Sequence, residues 1–234
     1  MSNSVQQNMK KSNTVIFIAA FFVCIAASLP VLAENPISAD EALKLLKDGN
    51  ARFVEMKLRH PNVSIEQREN TATSGQKPFA IVFACSDSRV PVEIIFDRGI
   101  GDIFVVRVAG NTIMDNSVIG SIEFAAEHLH LPLLVILGHT ECGAVKAAIA
   151  GIHEEGSIGA IQKKIEQAAT LVKKEYPELG GPDLMNAVIK SIVLEAKVDI
   201  LSQSRLIKEM SGSGKLKIVT GVYDVKTGGT EWVQ

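Results

Sequence analysis

The sequence has no strong excess of charge of either sign. Its 234 residues carry 24 lysines and arginines against 26 aspartates and glutamates, which gives a formal net charge of −2 at pH 7. Proteins that bind nucleic acid usually carry a basic surface, so this balance argues against a nucleic-acid partner. The sequence also lacks internal repeats and low-complexity segments. The charge balance itself indicates no particular substrate.

Long apolar runs are also lacking, except for one near the N-terminus. Lys10 and Lys11 precede an apolar run over residues 15–32 that ends in small side chains, a pattern typical of a secretory signal peptide. A membrane anchor is the alternative, because the run approaches the roughly 20 residues that span a bilayer. Pro30 and its small neighbours favour cleavage. We therefore predict a signal peptide over residues 1–33, export to the periplasm or the medium, and no stable membrane insertion afterwards.

Cysteine is scarce, with three in the whole sequence. Removal of the signal peptide takes Cys24 with it and leaves Cys85 and Cys142. In an exported protein, two cysteines could simply pair as a disulfide. The predicted mature chain, residues 34–234, is long enough for a single domain with a sizeable core.

Short apolar runs that alternate with helical patterns predict an α/β fold with a mostly parallel sheet. The runs are continuous, as in strands that are buried on both faces. The helices between them would form crossover connections and cover both sides of the sheet. We predict strands at 79–84, 103–108, 133–137 and 216–222, helices at 117–130, 142–150, 158–176 and 183–210, and a short edge strand at 230–233.

The first part of the mature chain predicts a helix followed by a polar arm. Ser38 and Glu41 have the spacing of a capping box, and the apolar positions that follow are typical of an amphipathic helix. We expect this helix to end near Gly49 or soon after. Residues 57–78 are too polar to form core. We expect this arm to lie on the surface or against another subunit.

Two of the predicted strands end in side chains that can bind a metal. Cys85 follows the first strand, and His139 and Cys142 follow the third. Ligands gather beyond the carboxyl ends of parallel strands, so these side chains are expected to meet. Two cysteines and one histidine are a known ligand set for catalytic zinc, with a fourth position open to water. A disulfide would use both thiols but would leave His139 without a role.

The motif "CSDSR" at 85–89 and the motif "GHTECGA" at 138–144 resemble the hallmarks of the β-class carbonic anhydrases. The resemblance covers nearly the whole mature chain and includes "GDIFVVRVAGN" at 101–111. It implies reversible hydration of carbon dioxide to bicarbonate and a proton, with one Zn2+ per subunit. It also implies a homodimer as the smallest active unit, or a higher homo-oligomer.

The resemblance also assigns roles to individual residues. Cys85, His139 and Cys142 match the zinc ligands, and Asp87 and Arg89 match the acid–arginine dyad of the family. Zinc would lower the pKa of its bound water and generate hydroxide as the nucleophile. Asp87 would accept the hydrogen of that hydroxide, and Arg89 would hold Asp87 ionised and aligned. Because two thiolates donate charge to the metal, we expect activity to rise at alkaline pH.

Three further residues are expected to bind substrate. Gln76 matches a glutamine of the plant-type members that would come from the partner subunit, and Phe104 matches an aromatic residue of the apolar pocket. Gly143 would let the backbone approach the metal or the substrate closely, although turn geometry alone explains this glycine equally well. The bacterial subgroup with a regulatory bicarbonate site has tryptophan where this sequence has Val82. The comparison favours the plant-type subgroup, with water as the fourth zinc ligand.

Three other functions remain open from the sequence. Hydrolases of carbon disulfide or carbonyl sulfide share this fold and ligand set, so the motifs do not separate them from a carbonic anhydrase. A non-catalytic zinc-binding module would keep the ligands but would have no need of Asp87 and Arg89. A thiol–disulfide redox protein would instead join Cys85 to Cys142.

Overall fold

The computed structural model describes residues 37–233, in which a five-stranded sheet is surrounded by helices. The predicted signal peptide lies outside the described residues. The helices are α1 (Ala39–Val54), α2 (Ile65–Ser74), α3 (Val92–Ile95), α4 (Asn116–His128), α5 (Gly143–Ile149), α6 (Gly156–Glu175), α7 (Gly181–Gln203) and α8 (Arg205–Gly212). The strands are β1 (Ala80–Ala84), β2 (Ile103–Arg107), β3 (Leu133–His139), β4 (Lys217–Tyr223) and β5 (Thr230–Val233). None of the helices described here has the length and apolar character needed to cross a membrane.

The strand order in the sheet is β2-β1-β3-β4-β5. The first four strands are parallel, and β5 pairs antiparallel with β4. This confirms the predicted α/β fold. In register, Ala84 of β1 lies between Arg107 of β2 and Leu137 of β3. The residues that follow these strands therefore leave the sheet at one edge.

Both faces of the sheet are covered, which explains why the strands read as continuous apolar runs. On one face, alternate β1 and β3 residues such as Phe83 pack against α4, α7 and α8. On the other face, Val82 and its neighbours pack against α1 and α3. A third apolar cluster joins α5, α6 and α7 around Cys85 and Cys142. The two cysteines are thus held by core packing.

Helix α1 begins as predicted and ends soon after Gly49, at Val54. The Ser38 hydroxyl accepts the backbone N–H of Glu41 at 3.2 Å, and the Glu41 carboxylate accepts the Ser38 N–H at 2.9 Å, so the capping box forms. The helix continues through Gly49 to Val54. A Cβ at Gly49 would stand 1.8 Å from the carbonyl oxygen of Phe96. Gly49 is therefore a contact point between α1 and the residue after α3, and it does not end the helix.

The polar arm contains a helix that the sequence pattern does not predict. The Ser64 side chain caps α2, and none of the ten residues of α2 is buried. Gln67 donates a hydrogen bond to the carbonyl of Ile100 at 2.9 Å, which ties the arm to the turn before β2. Because α2 buries no apolar face, it leaves no apolar periodicity in the sequence. In the single chain the arm is exposed, which agrees with either expected position, on the surface or against another subunit.

The helix predicted over 183–210 is in fact two helices, α7 and α8. Ser204 ends α7, and its hydroxyl accepts the backbone N–H of Ile207 at 3.0 Å to begin α8. Serine is a favoured N-cap, and it starts a new helix here although apolar residues continue on both sides. The prediction missed this break because the apolar pattern runs through it.

A buried carboxylate joins the polar arm to α1. Asp97 accepts hydrogen bonds from Nε of Arg52 at 2.6 Å and from the backbone N–H groups of Arg59 and His60 at 3.0 and 2.9 Å. Burial alone would raise the pKa of Asp97, but these hydrogen bonds outweigh it and the pKa is lowered. The ionised carboxylate therefore stabilises the start of the arm.

Replacing Asp97 with asparagine is expected to lower the free energy of unfolding at pH 7 by about 1.5–3 kcal/mol, the value of a hydrogen bond to a charged group. A carboxylate with a lowered pKa stabilises the fold above its unfolded pKa near 3.9, and this stabilisation is lost as pH falls through the folded pKa. Urea unfolding across pH 7 to 3 measures it. A difference between variant and unaltered protein that does not shrink in acid would contradict the account.

Candidate metal centre

Three potential metal ligands converge where β1 and β3 end. Cys85 directly follows β1, His139 is the last residue of β3, and Cys142 is the N-cap of α5. Their ligand atoms lie within 4.8 Å of one another, and all three residues are buried. This separation is comparable to that of ligands that share one tetrahedral zinc ion. The parallel sheet thus brings together residues that are more than fifty positions apart in the sequence.

The imidazole of His139 is oriented as a metal ligand. Its Nδ1 lies 2.9 Å from the carbonyl oxygen of Thr140, so in the neutral ring Nδ1–H donates to that carbonyl. The other nitrogen, Nε2, then carries the lone pair. Within residues 37–233, Nε2 is buried and has no hydrogen-bond partner. Since buried polar atoms are nearly always paired, and metal-binding histidines usually donate their second N–H in this way, the site fits a metal ion.

The thiol of Cys85 lies in an environment that favours its thiolate. The Cys142 thiol donates a hydrogen bond to the sulfur of Cys85 and so favours its ionisation. Burial opposes ionisation, whereas His139 and the backbone N–H groups of Asp87 and Gly110 favour it, and the pKa of Cys85 falls to about 4. The two N–H groups lie 3.4 and 3.3 Å from Sγ. The same shared hydrogen bond, with burial, raises the pKa of Cys142. Because cysteine binds zinc as a thiolate, metal binding at this site would release thiol protons.

Asp87 and Arg89 form a bidentate pair beside these ligands. Oδ1 of Asp87 accepts from Nε and the backbone N–H of Arg89 at 3.0 and 2.9 Å, and Oδ2 accepts from Nη2 at 2.7 Å. The hydrogen bonds from the Arg89 side chain lower the pKa of Asp87 to about 2. Nη2 of Arg89 also donates to the carbonyl of Glu141 at 2.8 Å. The pair thus links the loop after β1 to the loop after β3.

The carboxylate of Asp87 points toward the ligand cluster. Its Oδ2 lies 3.9 Å from Nε2 of His139. Arg89 already holds both carboxylate oxygens, so Asp87 lies next to the metal position without being one of its ligands. Its side chain is 17% exposed and that of Arg89 is 49% exposed, so the pair lies between the buried cluster and the surface.

Gln76 and Phe104 do not approach the ligand cluster of their own chain. Gln76 is exposed and lies before the amino end of β1, whereas Cys85 follows its carboxyl end. Phe104 pairs in register with Ile81, four residues before Cys85, and its ring packs 6.2 Å from that of Phe124. At about 3.3 Å per strand residue, Phe104 lies on the order of 13 Å away along the strand. Neither residue can contact the metal position from within one subunit.

Gly138 and Gly143 flank the ligands, but only one of them is packed closely. A Cβ at Gly138 would stand 2.6 Å from a methyl group of Val193 and 3.2 Å from one of Ile189, both on α7. For Gly143, the first residue of α5, no described atom lies within 4 Å of such a Cβ. Gly138 therefore lets β3 pack against α7, and Gly143 borders open space.

These surroundings predict different outcomes for two alanine variants. Gly138→Ala is expected to lower the free energy of unfolding by about 1–3 kcal/mol, because the core must shift to hold the added methyl group. Gly143→Ala is the matched control, and we expect it to be neutral or slightly stabilising, by up to about 1 kcal/mol. Thermal or urea unfolding of both variants measures this. Equal stability of the two would show that the contact with Val193 does not matter.

Other residues that organise the site were missed by sequence reasoning. The side-chain amide of Asn111 donates to the carbonyls of Phe83 and Leu137, at 3.3 and 3.1 Å, so it joins β1 and β3 just before Cys85 and His139. In the sequence, residues 110–111 stand out only as the end of the motif at 101–111. No residue-type signal could have revealed this bridge, because an asparagine in a turn has many simpler explanations.

Comparisons with known proteins agree with this geometry. The carbonic anhydrase family profile matches residues 80–230. The chain is 42% identical over 199 residues to carbonic anhydrase 2 of Mycobacterium tuberculosis, which covers 83% of this chain and 91% of the relative.

Solved structures share the fold. The β-carbonic anhydrase CafA of Aspergillus fumigatus has a TM-score of 0.63 at 28% identity, over 83% of this chain and 90% of that one. Tetrameric β-carbonic anhydrases of Sordaria macrospora have a TM-score of 0.64 at 23% identity, over 72% of this chain and 87% of that one. The sequence motifs, the fold and the cysteine–histidine cluster are thus accompanied by a family match over more than half of the chain. The chain belongs to the β-class carbonic anhydrase family.

Proposed function

We propose that this protein catalyses the reversible hydration of carbon dioxide to bicarbonate and a proton, with one zinc ion held by Cys85, His139 and Cys142. The observation that carries the proposal is the convergence of these three ligand atoms beside an aspartate that is already bound by an arginine. Zinc in such a site lowers the pKa of a coordinated water to near neutrality and so supplies a nucleophile.

The chain's own residues orient that nucleophile. Oδ2 of Asp87, 3.9 Å from Nε2 of His139, is placed to accept a hydrogen bond from an oxygen at the metal position. Only an ionised carboxylate can act solely as an acceptor, and the bidentate contact with Arg89 keeps Asp87 ionised. The contact also fixes the direction of the carboxylate. Arg89 is thus a positioning residue and Asp87 a catalytic one.

Substrate access is proposed from the side of Asp87 and Arg89. On the α7 side, the cavity beside His139 and Cys142 has a volume of only about 10 Å³, close to the lower limit for a single water. Toward the surface, the half-exposed Arg89 borders the site. Because Arg89 holds both carboxylate oxygens of Asp87, this carboxylate would not be a ligand of a zinc ion held by the three residues. Together with Val82 in place of tryptophan, this supports assignment to the plant-type subgroup.

We further propose that the active unit is a homodimer or a higher homo-oligomer. Gln76 and Phe104 match substrate-binding residues of the family yet cannot contact the site of their own subunit, so in this proposal a second copy supplies them. Gln76 lies in the exposed arm and Phe104 lies on the edge strand β2, and these positions support the proposed contact with a second copy. The Sordaria macrospora relatives with this fold are tetrameric.

Export is part of the same proposal. The lysine pair and the apolar run before residue 33 support a cleaved signal peptide and a periplasmic or secreted enzyme. Determination of the N-terminal residue of the protein recovered from its native host, by mass spectrometry of the intact chain, tests this. A chain that still begins at Met1 would contradict cleavage.

The substrate is tested by assaying the purified protein in parallel with carbon dioxide and with carbon disulfide. Proton release in the carbon dioxide assay, with little or no product from carbon disulfide, is the expected result. Activity on the sulfur substrate alone would replace the proposed reaction with that of a sibling hydrolase. A zinc-loaded protein inactive on both substrates would indicate a non-catalytic zinc module.

A further inference from the structure

Arg107 has no role in the ligand set or the dyad, yet it contacts the backbone of both. It is the last residue of β2 and pairs in register with Ala84, the residue before Cys85. Its Nε donates a hydrogen bond to the carbonyl oxygen of Cys85 at 2.9 Å, and its Nη2 donates to the carbonyl oxygen of Asp87 at 2.6 Å. One side chain therefore holds the backbone of a proposed zinc ligand and of the proposed catalytic carboxylate.

These two carbonyl groups lie where the chain leaves the sheet. The pairing of β1 with β2 continues one step beyond the strands. The N–H of Val108 donates to the carbonyl of Ala84 at 3.1 Å, and the N–H of Ser86 donates to the carbonyl of Val108 at 3.3 Å. Cys85 lies within this last step of pairing, and Asp87 lies just beyond it, where the pairing with β2 has ended. Arg107 supplies donors at this point.

The geometry favours arginine over any other side chain. A guanidinium group presents several N–H donors in a rigid fork, so it can hold two acceptors at a fixed separation. Hydrogen bonds from a charged donor are also about twice as strong as neutral ones. A lysine ammonium group is a point charge on a flexible stem and does not define the separation of two carbonyls in this way.

We propose that Arg107 is a positioning residue for the reaction, because it fixes the Cys85 thiolate and the Asp87 carboxylate relative to each other. This inference rests on the proposed carbon dioxide hydration. Arg107 acts through the backbone at residues 85 and 87. A misplacement of about 1 Å in an active site can lower a rate about 100-fold, so a brace that acts through the backbone can control turnover.

The test compares Arg107→Gln and Arg107→Lys with Arg205→Gln, a control on α8 whose arginine side chain is 90% exposed. Each protein is prepared with zinc for kinetics and with cobalt for absorption spectroscopy. We expect Arg107→Gln to lower kcat by about 10- to 100-fold, as loss of an outer partner of a metal site does, with a smaller change in KM. The cobalt spectrum should change in both Arg107 variants and stay unchanged in Arg205→Gln.

Two results would overturn the proposal. One is an unchanged kcat in Arg107→Gln. The other is an unchanged cobalt spectrum in the folded fraction of both Arg107 variants, which would reduce Arg107 to a general stabilising contact. If the unaltered protein binds cobalt but does not hydrate carbon dioxide, the proposed function fails. The spectra of the unaltered protein and the variants would still decide whether Arg107 positions the ligands.

Discussion

Replacement of Asp87 with alanine is expected to lower kcat for carbon dioxide hydration by about 100- to 10,000-fold, the usual contribution of a positioned acid–base group. Zinc content should stay near one per chain, because Asp87 is held by Arg89 and is not part of the cysteine–histidine cluster. Stopped-flow measurement of proton release, with zinc analysis of the same sample, gives both quantities. The variant removes the acceptor and leaves the ligands in place.

Glu93→Ala provides the control for this variant, since Glu93 is an exposed carboxylate on the neighbouring helix α3. It should hydrate carbon dioxide at the unaltered rate. If Asp87→Ala also hydrates normally, the assigned role of Asp87 is wrong. If it loses its zinc along with its activity, Asp87 holds the ligand set together and does not act on the nucleophile.

Replacement of Cys142 with serine is the second change with a large expected effect. Cys142 occupies the N-cap of α5, a position that serine favours, so the helix should still form. Serine is not among the usual zinc ligands, so zinc affinity and activity should each fall by at least about 100-fold, the upper range for loss of an outer partner. Zinc titration and the hydration assay measure the two effects.

The matched control for Cys142→Ser is the unaltered protein after removal of its metal by a chelator. Both samples should be folded by circular dichroism, and both should be inactive. Added zinc should restore activity to the unaltered protein alone. Restoration of the serine variant at equal zinc concentration would show that Cys142 is not a ligand.

The sequence was sufficient for the features that depend on pattern and chain direction. The buried parallel strands follow from continuous apolar runs, and the meeting of Cys85 with His139 and Cys142 follows because parallel strands end at one edge of the sheet. The family resemblance assigned the roles of these ligands and of Asp87 and Arg89. The structure then brings all five residues together.

Features that depend on contacts between distant residues could not be predicted. Helix α2 has no apolar face to detect, and the break at Ser204 lies inside an apolar pattern that continues across it. Arg107 donates hydrogen bonds to the backbone carbonyls of residues 85 and 87, about twenty positions earlier in the sequence, and residue type does not reveal such contacts. The difference between Gly138 and Gly143 likewise appears only once the methyl group of Val193 is placed.

The sequence also could not predict that Gln76 and Phe104 lie far from the ligand cluster of their own chain. The family resemblance assigns both residues to the substrate pocket and assigns Gln76 to the partner subunit, but it does not tell which subunit supplies Phe104. In one chain Phe104 is the second residue of β2 and lies near the amino end of the sheet, and Gln76 lies before that end. In the proposed function a second copy supplies both residues, and the homodimer is part of that proposal.

Zinc titration of the metal-free protein, followed by carbon dioxide hydration at each step, tests the central claim most directly. Activity should be absent without metal, rise in proportion to added zinc, and level off at one zinc per chain, as three ligands at a single site require. Turnover by the metal-free protein, or full zinc occupancy with no hydration of carbon dioxide, would contradict the account.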